Sequence, residues 1–409
     1  MTRTAAAEGL GDRVRRLLAS RSEANRMFFD AEADRVARCC HRMAERFASG
    51  GRLVALGRSP AARSDARHVA VEFVHPVMVG KRALPAIGLA GEGGSLTSQV
   101  DAVVEPADIA IAYDVEDDET RAALAIAGAR GCLTVAFARD SGARWEFAPP
   151  GADPFVDQEL VESLYHVLWE LVHVFFDHRG LLEGREAGPV HDAGPSSFLY
   201  PFLAEGEHDV ESVIDDVRRS VLMKAAEVGG LREQTLTENA EVLIAAAADL
   251  RRRLDAGGKV LAFGNGGSAT DAMDLVADFR AAPGRAWPSR RALDLTEDPA
   301  ILTAIANDIG TEEIFQRQVI AYGREADAAV ALSTSGNSAN VIEALVEARK
   351  RGLATIAFIG YDGGRVAAEG LADYVVVTRS QHIPRIQEAQ ASGYHVLREL
   401  VEATEPVAA

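Results

Sequence analysis

The sequence is poor in cysteine and in basic residues. Its three cysteines, Cys39, Cys40 and Cys132, have no metal-ligand spacing and no even disulfide framework, which is typical of a reducing compartment. The 43 Lys and Arg residues are outnumbered by 61 Asp and Glu, which leaves a formal charge of −18. This balance gives no general basic surface, so we expect no nucleic-acid partner.

Long hydrophobic runs are absent as well. No apolar run reaches ~18 residues, the length of a membrane-spanning helix, and we expect no membrane partner. The N-terminal stretch "MTRTAAAEGLGDRV" lacks the apolar core of a signal peptide. We therefore expect a cytoplasmic protein. Its 409 residues are too many for one ordinary core and predict two or three domains.

One helical stretch is written twice. The segment "QELVESLYHVLWELV" opens at Gln158, and "QEAQASGYHVLRELV" opens at Gln387, with ten of fifteen positions identical. Both copies keep a Gln and a His eight residues apart. Such self-similarity indicates an internal repeat.

Other segments repeat in the same order. The glycine turn and apolar run of "ASGGRLVALGRSP" (48–60) return in "DAGGKVLAFGNGG" (255–267). The apolar runs at 108–114 and 132–138 return at 327–333 and 353–359, each alternating with helical segments. Short apolar runs between helices indicate buried parallel strands with crossover helices. We predict two three-layer α/β/α domains that arose by duplication.

The domain boundaries follow from composition. The stretch "EGREAGPVHDAGPSS" (183–197) is rich in Gly, Pro and Ser, which is typical of a linker. We predict an N-terminal domain over residues 1–182, a linker over 183–206 and a C-terminal domain over 207–409.

Two loops of the second half are suited to an anion. The stretch "FGNGGSATDA" (263–272) and the stretch "LSTSGNSANVIEAL" (332–345) both run from a strand into a helix. Glycines let backbone amides approach a ligand, and a helix N-terminus favours negative charge. No lysine or Mg²⁺-binding acid follows as in a nucleotide-binding P-loop, so a phosphate monoester fits better than a nucleotide triphosphate.

Three more motifs accompany the two loops: "LTAIANDIG" (302–310), "GYDGG" (360–364) and "RIQEAQASGYH" (385–395). In this order the five motifs resemble the phosphoheptose (sedoheptulose 7-phosphate) isomerase family, which belongs to the sugar-isomerase (SIS) fold group whose domains bind phosphosugars. The resemblance implies two such domains in tandem. The match runs from about 207 to 403, and the first half resembles the family more weakly. For the second half the resemblance implies a set of substrate-binding residues: Asn265, Gly266, Gly267, Ser268, Asp298, Ser333, Thr334, Ser335, Ser338 and Gln387.

The family's catalytic pattern is divided between the halves. It has a His-x-x-x-Glu helix, a Gln and a His eight residues after the Gln, and these four can hold zinc. In the second half the helix carries Asp274 and Asp278 instead, with His395 retained, which makes zinc doubtful there. The first half carries the full set, which the resemblance implies as metal ligands: His68, Glu72, Gln158 and His166.

The first half has lost its phosphate loops. "GRSPAARS" (57–64) replaces the glycine loop, and the acidic "YDVEDDET" (113–120), which would repel a phosphate, replaces the serine loop. One hypothesis is a shared site, with phosphate held by the second half and Glu72 and His166 supplying proton transfer or metal. Another is a self-sufficient second-half site with Asp278 and His395. A third is no catalysis at all.

The resemblance implies an aldose–ketose isomerase acting through an enediol, which needs a base, an acid and stabilisation of the enediolate oxygen. We expect sedoheptulose 7-phosphate or a close ketose phosphate as substrate, with zinc as a possible cofactor. The resemblance also implies a homodimer or higher homo-oligomer with sites at domain interfaces. The alternative is a non-catalytic phosphosugar sensor or protein-interaction module.

Overall fold

A computed structural model describes residues 3–77, 81–177, 209–281 and 284–404. The predicted linker over 183–206 lies outside these ranges. Within them, no helix combines the length and apolar character that crossing a bilayer requires.

The chain divides into two compact units. The N-terminal unit consists of Asn25–Ala152 and Leu160–Ala226. The C-terminal unit consists of Met1–Ala24, Asp153–Glu159 and Glu227–Ala409. Two segments of the first predicted domain, its start and a seven-residue stretch at Asp153–Glu159, therefore belong to the C-terminal unit.

Three helices have residues in both units: α1 (Arg3–Ala48), α5 (Pro154–Asp177) and α6 (Val210–Glu238). The N-terminal unit contains the elements β1 (Leu53–Leu56), α2 (Pro60–Val74), β2 (Ala86–Leu89), α3 (Leu96–Val103), β3 (Ile109–Ala112), α4 (Asp118–Ala129), β4 (Leu133–Ala136) and β5 (Trp145–Glu146).

The C-terminal unit repeats this alternation, and its last three strands are longer than their N-terminal counterparts. Its elements are α7 (Ala240–Asp255), β6 (Val260–Phe263), α8 (Gly267–Ala281), β7 (Ala292–Asp294), α9 (Pro299–Asp308), a 3₁₀ turn (Thr311–Glu313), α10 (Gln316–Tyr322), β8 (Ala328–Ser333), α11 (Ala339–Lys350), β9 (Ala354–Ile359), α12 (Gly364–Ala368), β10 (Tyr374–Val377) and α13 (Ile383–Ala403).

Each unit is built on one five-stranded parallel sheet. The strand order is β2-β1-β3-β4-β5 in the N-terminal unit and β10-β9-β8-β6-β7 in the C-terminal unit. Read from the same edge, both orders are second, first, third, fourth, fifth. The central strands β1, β3, β6 and β8 are fully buried, which is why they read as continuous apolar runs. The predicted fold class is confirmed.

Individual residues occupy equivalent positions in the two units. Asp108, just before β3, accepts a hydrogen bond from the Arg52 backbone N–H at 2.8 Å, and Asp327, just before β8, accepts one from the Lys259 N–H at 2.9 Å. The preceding glycines, Gly51 and Gly258, are also equivalent. A Cβ atom on either would lie 2.1 Å from a backbone carbonyl oxygen, which only glycine avoids.

Candidate functional site

The two glycine- and serine-rich loops of the C-terminal unit lie side by side. They follow β6 and β8, which are hydrogen-bonded neighbours. The chain leaves β6 toward β7 on one side and returns to β8 on the other, so the strand order reverses between them. Ligands of open α/β sheets bind outside the carboxyl ends of the strands at such a point.

Side chains and tight turns join the loops. The Asn265 and Asn340 side-chain amides exchange two hydrogen bonds, both 2.9 Å long. Gly336 adopts a left-handed φ of 64°, and a Cβ atom there would lie 2.5 Å from the Gly363 carbonyl oxygen. Both the φ and the close approach require glycine at this turn.

The serine loop ends at the first turn of α11. Ser338 occupies the N-cap position, but its hydroxyl makes no cap hydrogen bond. Ser333 and Ser335 accept hydrogen bonds from the backbone N–H groups of Gly336 and Asn337 at 3.1 and 3.2 Å. With the start of α8 at Gly267, two helix N-termini open at this edge of the sheet. Such termini favour an anion.

The equivalent crevice of the N-terminal unit is filled by its own charges. The Asp114 carboxylate accepts from the backbone N–H groups of Arg58 and Ser59, at 3.0 and 2.6 Å. The Arg58 guanidinium pairs with Asp117 at 3.1 Å and with Glu119 at 2.9 Å. These carboxylates occupy the backbone amides and the guanidinium that a phosphate would otherwise contact. Their negative charges would also repel a phosphate, as the sequence predicts.

The N-terminal unit brings together three of the four residues predicted as metal ligands. His68 and His166 face each other with their Nε2 atoms 3.4 Å apart, and Glu72 Oε1 lies 3.9 Å from His68 Nε2. All three side chains are buried. The Tyr165 hydroxyl lies 2.9 Å from His68 Nδ1, so the ring is held from its other side.

The C-terminal unit has a matching cluster. His395 Nε2 lies 3.4 Å from Asp274 Oδ2 and 3.3 Å from Asp278 Oδ2. The two carboxylates come from one face of α8, as their i, i+4 spacing predicts, and His395 comes from α13. The Tyr394 hydroxyl donates to Asp274 at 2.8 Å. Asp274 and Asp278 are both buried.

Gln158 lies at this C-terminal cluster. It belongs to the segment Asp153–Glu159, and its Nε2 atom donates to Asp274 Oδ1 at 2.6 Å. The predicted set of His68, Glu72, Gln158 and His166 is thus divided between the units. The reason is geometric, because eight residues of α5 rise ~12 Å along the helix axis. Gln158 and His166 stand at opposite ends of that rise.

The next residue, Glu159, also reaches the cluster. Its Oε1 atom lies 2.9 Å from His395 Nδ1, and both its oxygens accept from Arg21 Nε, at 2.9 and 3.1 Å. Sequence reasoning named the Gln and the His of the repeated helix but missed Glu159 and the tyrosines Tyr165 and Tyr394. The signal was available, because the Gln-Glu and Tyr-His pairs stand in both copies.

Three buried groups of the C-terminal cluster, His395, Asp278 and Glu159, have shifted pKa values. Burial alone would lower its pKa, but contacts with Asp274, Asp278 and Glu159 raise it well above the ordinary value. Burial also raises the pKa of Asp278, and the neighbouring Asp274 raises it further. Glu159 goes the other way: against the effect of burial, the charge of Arg21 and the contact with His395 lower its pKa to about 2.

Comparison with known proteins gives the family. A family model described as the SIS domain matches residues 225–360. The phosphoheptose isomerase of Thermodesulfovibrio yellowstonii is 44% identical over 172 residues, which are 42% of this chain and 85% of that protein. That of Nitratidesulfovibrio vulgaris is 41% identical over 188 residues, 46% of this chain and 89% of that protein. The chain belongs to the phosphoheptose isomerase family.

Solved structures extend the likeness to the whole chain. The C-terminal domain of glucosamine-fructose-6-phosphate aminotransferase from Francisella tularensis matches with a TM-score of 0.59 at 9% identity, covering 94% of this chain and 93% of that one. Tagatose-6-phosphate ketose/aldose isomerase from Escherichia coli matches at 0.55 and 13% identity, covering 98% and 95%. At these identities the likeness shows the fold alone. It covers more of the chain than the phosphoheptose isomerases named above, which match 42% and 46% of it.

Both clusters fit the zinc ion that the phosphoheptose isomerase family implies. Two ligand atoms of a tetrahedral zinc ion lie roughly 3.3–3.4 Å apart, given Zn–N and Zn–O distances of about 2.0–2.1 Å. The separation of His68 and His166 has this value, as do those of His395 from Asp274 and Asp278. In each cluster three ligand atoms lie within 4.8 Å of one another. The donor sets are therefore suitable in both units.

Asp298 and Gln387 are two further residues that the resemblance assigns to substrate binding. Asp298 caps α9, accepting from the backbone N–H groups of Ala300 and Ile301 at 2.9 and 3.1 Å. Gln387 is buried on α13, two turns before His395. Their roles as sugar-binding groups stay predictions. So do those of Asn265, Gly266, Gly267 and Ser268, and of Ser333, Thr334, Ser335 and Ser338.

Proposed function

We propose that this protein is a phosphosugar isomerase that interconverts a ketose phosphate and an aldose phosphate through an enediol. The substrate that family membership favours is sedoheptulose 7-phosphate, with D-glycero-D-manno-heptose 7-phosphate as the product. The supporting geometry is an anion-binding edge of the sheet and an acid–base cluster within the same unit.

The observation that carries the proposal is that one helix, α8, begins at the glycine loop and also carries the carboxylates of the acid–base cluster. Helix α8 begins at the glycine loop with Gly267 and carries Asp274 seven residues later, a rise of about 10 Å. Side chains of a helix lean toward its N-terminus, which brings the carboxylates nearer the loop. The separation suits an extended sugar chain with its phosphate at the loop and its carbonyl end at the cluster.

The cluster supplies the acid and the base that isomerisation needs. Asp278 takes a proton from the carbon next to the carbonyl, and His395 gives its Nε2 proton to the carbonyl oxygen, which yields the enediol. Return of a proton to the other carbon, and of one hydroxyl proton to His395, completes the change. A carboxylate whose pKa is raised by burial is a stronger base than an exposed one.

Zinc would be held by His68, Glu72 and His166 in the N-terminal unit, or by Asp274, Asp278 and His395 in the C-terminal unit. When bound, it supplies a Lewis acid that polarises a carbonyl oxygen.

Product analysis tests the proposal. Incubation with sedoheptulose 7-phosphate should yield an aldoheptose phosphate, and no product would remove this substrate. A second candidate, a non-catalytic phosphosugar sensor, is favoured by Asp274, which stands where the family pattern has His. The two functions differ in one respect: an isomerase exchanges solvent deuterium into C1 or C2 of the sugar, and a sensor does not.

A further inference from the structure

Glu159 is enclosed among donors in the C-terminal unit. Its side chain is 1% exposed, and it receives Arg21 Nε on both oxygens at 2.9 and 3.1 Å. The Ser392 hydroxyl donates to Oε2, and His395 Nδ1 lies 2.9 Å from Oε1. Because the Arg21 guanidinium pairs with this carboxylate, Glu159 is the acceptor and the Nδ1 atom beside it carries the proton of that hydrogen bond.

The imidazole ring is fixed from a second direction. The Phe155 ring stacks on it with centroids 4.5 Å apart and an angle of 10° between the planes. Phe155 and Glu159 lie one helical turn apart at the start of α5, in the short segment Asp153–Glu159 that belongs to the C-terminal unit. This segment therefore provides both a stacking face and a hydrogen-bond acceptor to His395.

The other ring nitrogen of His395, Nε2, faces the two carboxylates of the cluster. With Nδ1 bound to Glu159, only Nε2 can face Asp274 and Asp278, at 3.4 and 3.3 Å. A carboxylate on one imidazole nitrogen fixes the tautomer and orientation of the ring and stabilises its cationic form. The same contact would direct Nε2 toward a metal ion.

We propose that Glu159 is the positioning residue of His395: it holds the proton on Nδ1 and thereby keeps Nε2 as the nitrogen that exchanges a proton with the sugar. The proposal rests on the isomerase function proposed above for its kinetic part. It also explains why the first repeat keeps the Gln-Glu pair of the repeated helix although its own anion crevice is filled.

The test must separate positioning from the loss of a buried charge. The variant is Glu159→Gln, which keeps the shape. A glutamine has one acceptor oxygen for three donors, Arg21, Ser392 and His395. The guanidinium competes best for it, which leaves the amide NH₂ facing Nδ1 and reverses the tautomer.

Glu399→Gln is the matched control. Glu399 is 1% exposed and lies 3.6 Å from Arg21, the same guanidinium that pairs with Glu159. It sits one turn beyond His395 on α13, and among the described residues its ion-pair partners are Arg13 and Arg21. The control removes an equivalent buried carboxylate from the same cation and leaves the imidazole contact in place.

The experiment measures three quantities on the full chain: ¹⁵N NMR shifts of the histidine rings, the thermal melting curve, and kcat and KM for sedoheptulose 7-phosphate. In the wild type and Glu399→Gln, Nδ1 of His395 should be protonated. In Glu159→Gln it should be unprotonated, with kcat reduced on the order of 10- to 100-fold and KM little changed. Glu159→Asp should restore a protonated Nδ1 and part of kcat.

Two results overturn the proposal. One is a protonated Nδ1 in folded Glu159→Gln, and the other is an equal loss of kcat in Glu159→Gln and Glu399→Gln. The NMR reading does not depend on turnover. If no variant and no wild type isomerises the sugar, the proposed function fails while the assignment of Glu159 is still decided by the ring shifts.

Discussion

Gln158 donates a hydrogen bond to Asp274 across 2.6 Å, although the two residues come from different copies of the repeat. Gln158 opens the first copy of the repeated helix, and Asp274 stands on α8 of the second half. The C-terminal unit thus draws two polar side chains, Gln158 and Glu159, from the first half of the chain. The first repeat contributes to the second unit's site even where its own loops have changed.

This contact gives a first prediction. Gln158→Ala removes the amide that fixes Asp274, so kcat should fall by about tenfold, as for outer contacts that orient site residues. Gln234→Ala is the control, because Gln234 is exposed on α6 and its side chain donates to Glu238 on the same helix. Steady-state kinetics on both variants checks it, and equal kcat values for the two would contradict it.

The serine loop gives a second prediction. Ser338 stands at an N-cap without capping, whereas Ser59 caps α2 by accepting from the Ala62 N–H at 3.3 Å. Ser338→Ala should weaken binding of a sugar phosphate several-fold and leave the melting temperature unchanged. Ser59→Ala should do the reverse, with a loss of about 1 kcal/mol of folding stability. Calorimetry and thermal melting decide between these patterns.

The filled crevice of the N-terminal unit predicts the binding stoichiometry. Asp114 already accepts from the backbone N–H groups of Arg58 and Ser59, so we expect a sugar phosphate to bind in the C-terminal unit alone. Isothermal titration with sedoheptulose 7-phosphate should give one site per chain. Two equivalent sites would show that Asp114 is displaced by the ligand.

The zinc content of two variants tests whether the cluster at His166 binds a metal ion, with the packed histidine His173 as the control. His166→Ala should remove a bound zinc ion from the N-terminal unit, because it deletes one of three donor atoms. His173→Ala should not, since His173 is buried with its ring nitrogens 2.8 and 2.9 Å from the carbonyl oxygens of Trp169 and Arg82. Metal analysis of both purified variants is the measurement, and equal zinc in the two would refute a site at His166.

Much of the fold follows from the sequence, because buried parallel strands are continuous apolar runs. The stretches at 327–333 and 353–359 contain β8 and β9, and those at 108–114 and 132–138 contain β3 and β4. The pairing of the two phosphate loops follows too, since parallel strands place their carboxyl ends together. Asn265 and Asn340 show that contact directly.

The site was less predictable, because a repeated motif does not say which unit each end of its helix serves. Gln158 and His166 were expected to share one ion, although the rise of ~12 Å between them already opposed this. Glu159 was missed because a Glu side chain usually faces solvent. Only the tertiary structure places Arg21 and His395 on either side of it.

Solvent deuterium exchange at C1 and C2 of sedoheptulose 7-phosphate tests the proposed chemistry most directly. Wild-type protein and Glu72→Gln should incorporate deuterium, and Asp278→Asn should lose incorporation by at least 100-fold, because the base then lies in the C-terminal unit. If Asp278→Asn exchanges at the wild-type rate while Glu72→Gln does not, proton transfer belongs to the N-terminal cluster and the self-sufficient C-terminal site is contradicted.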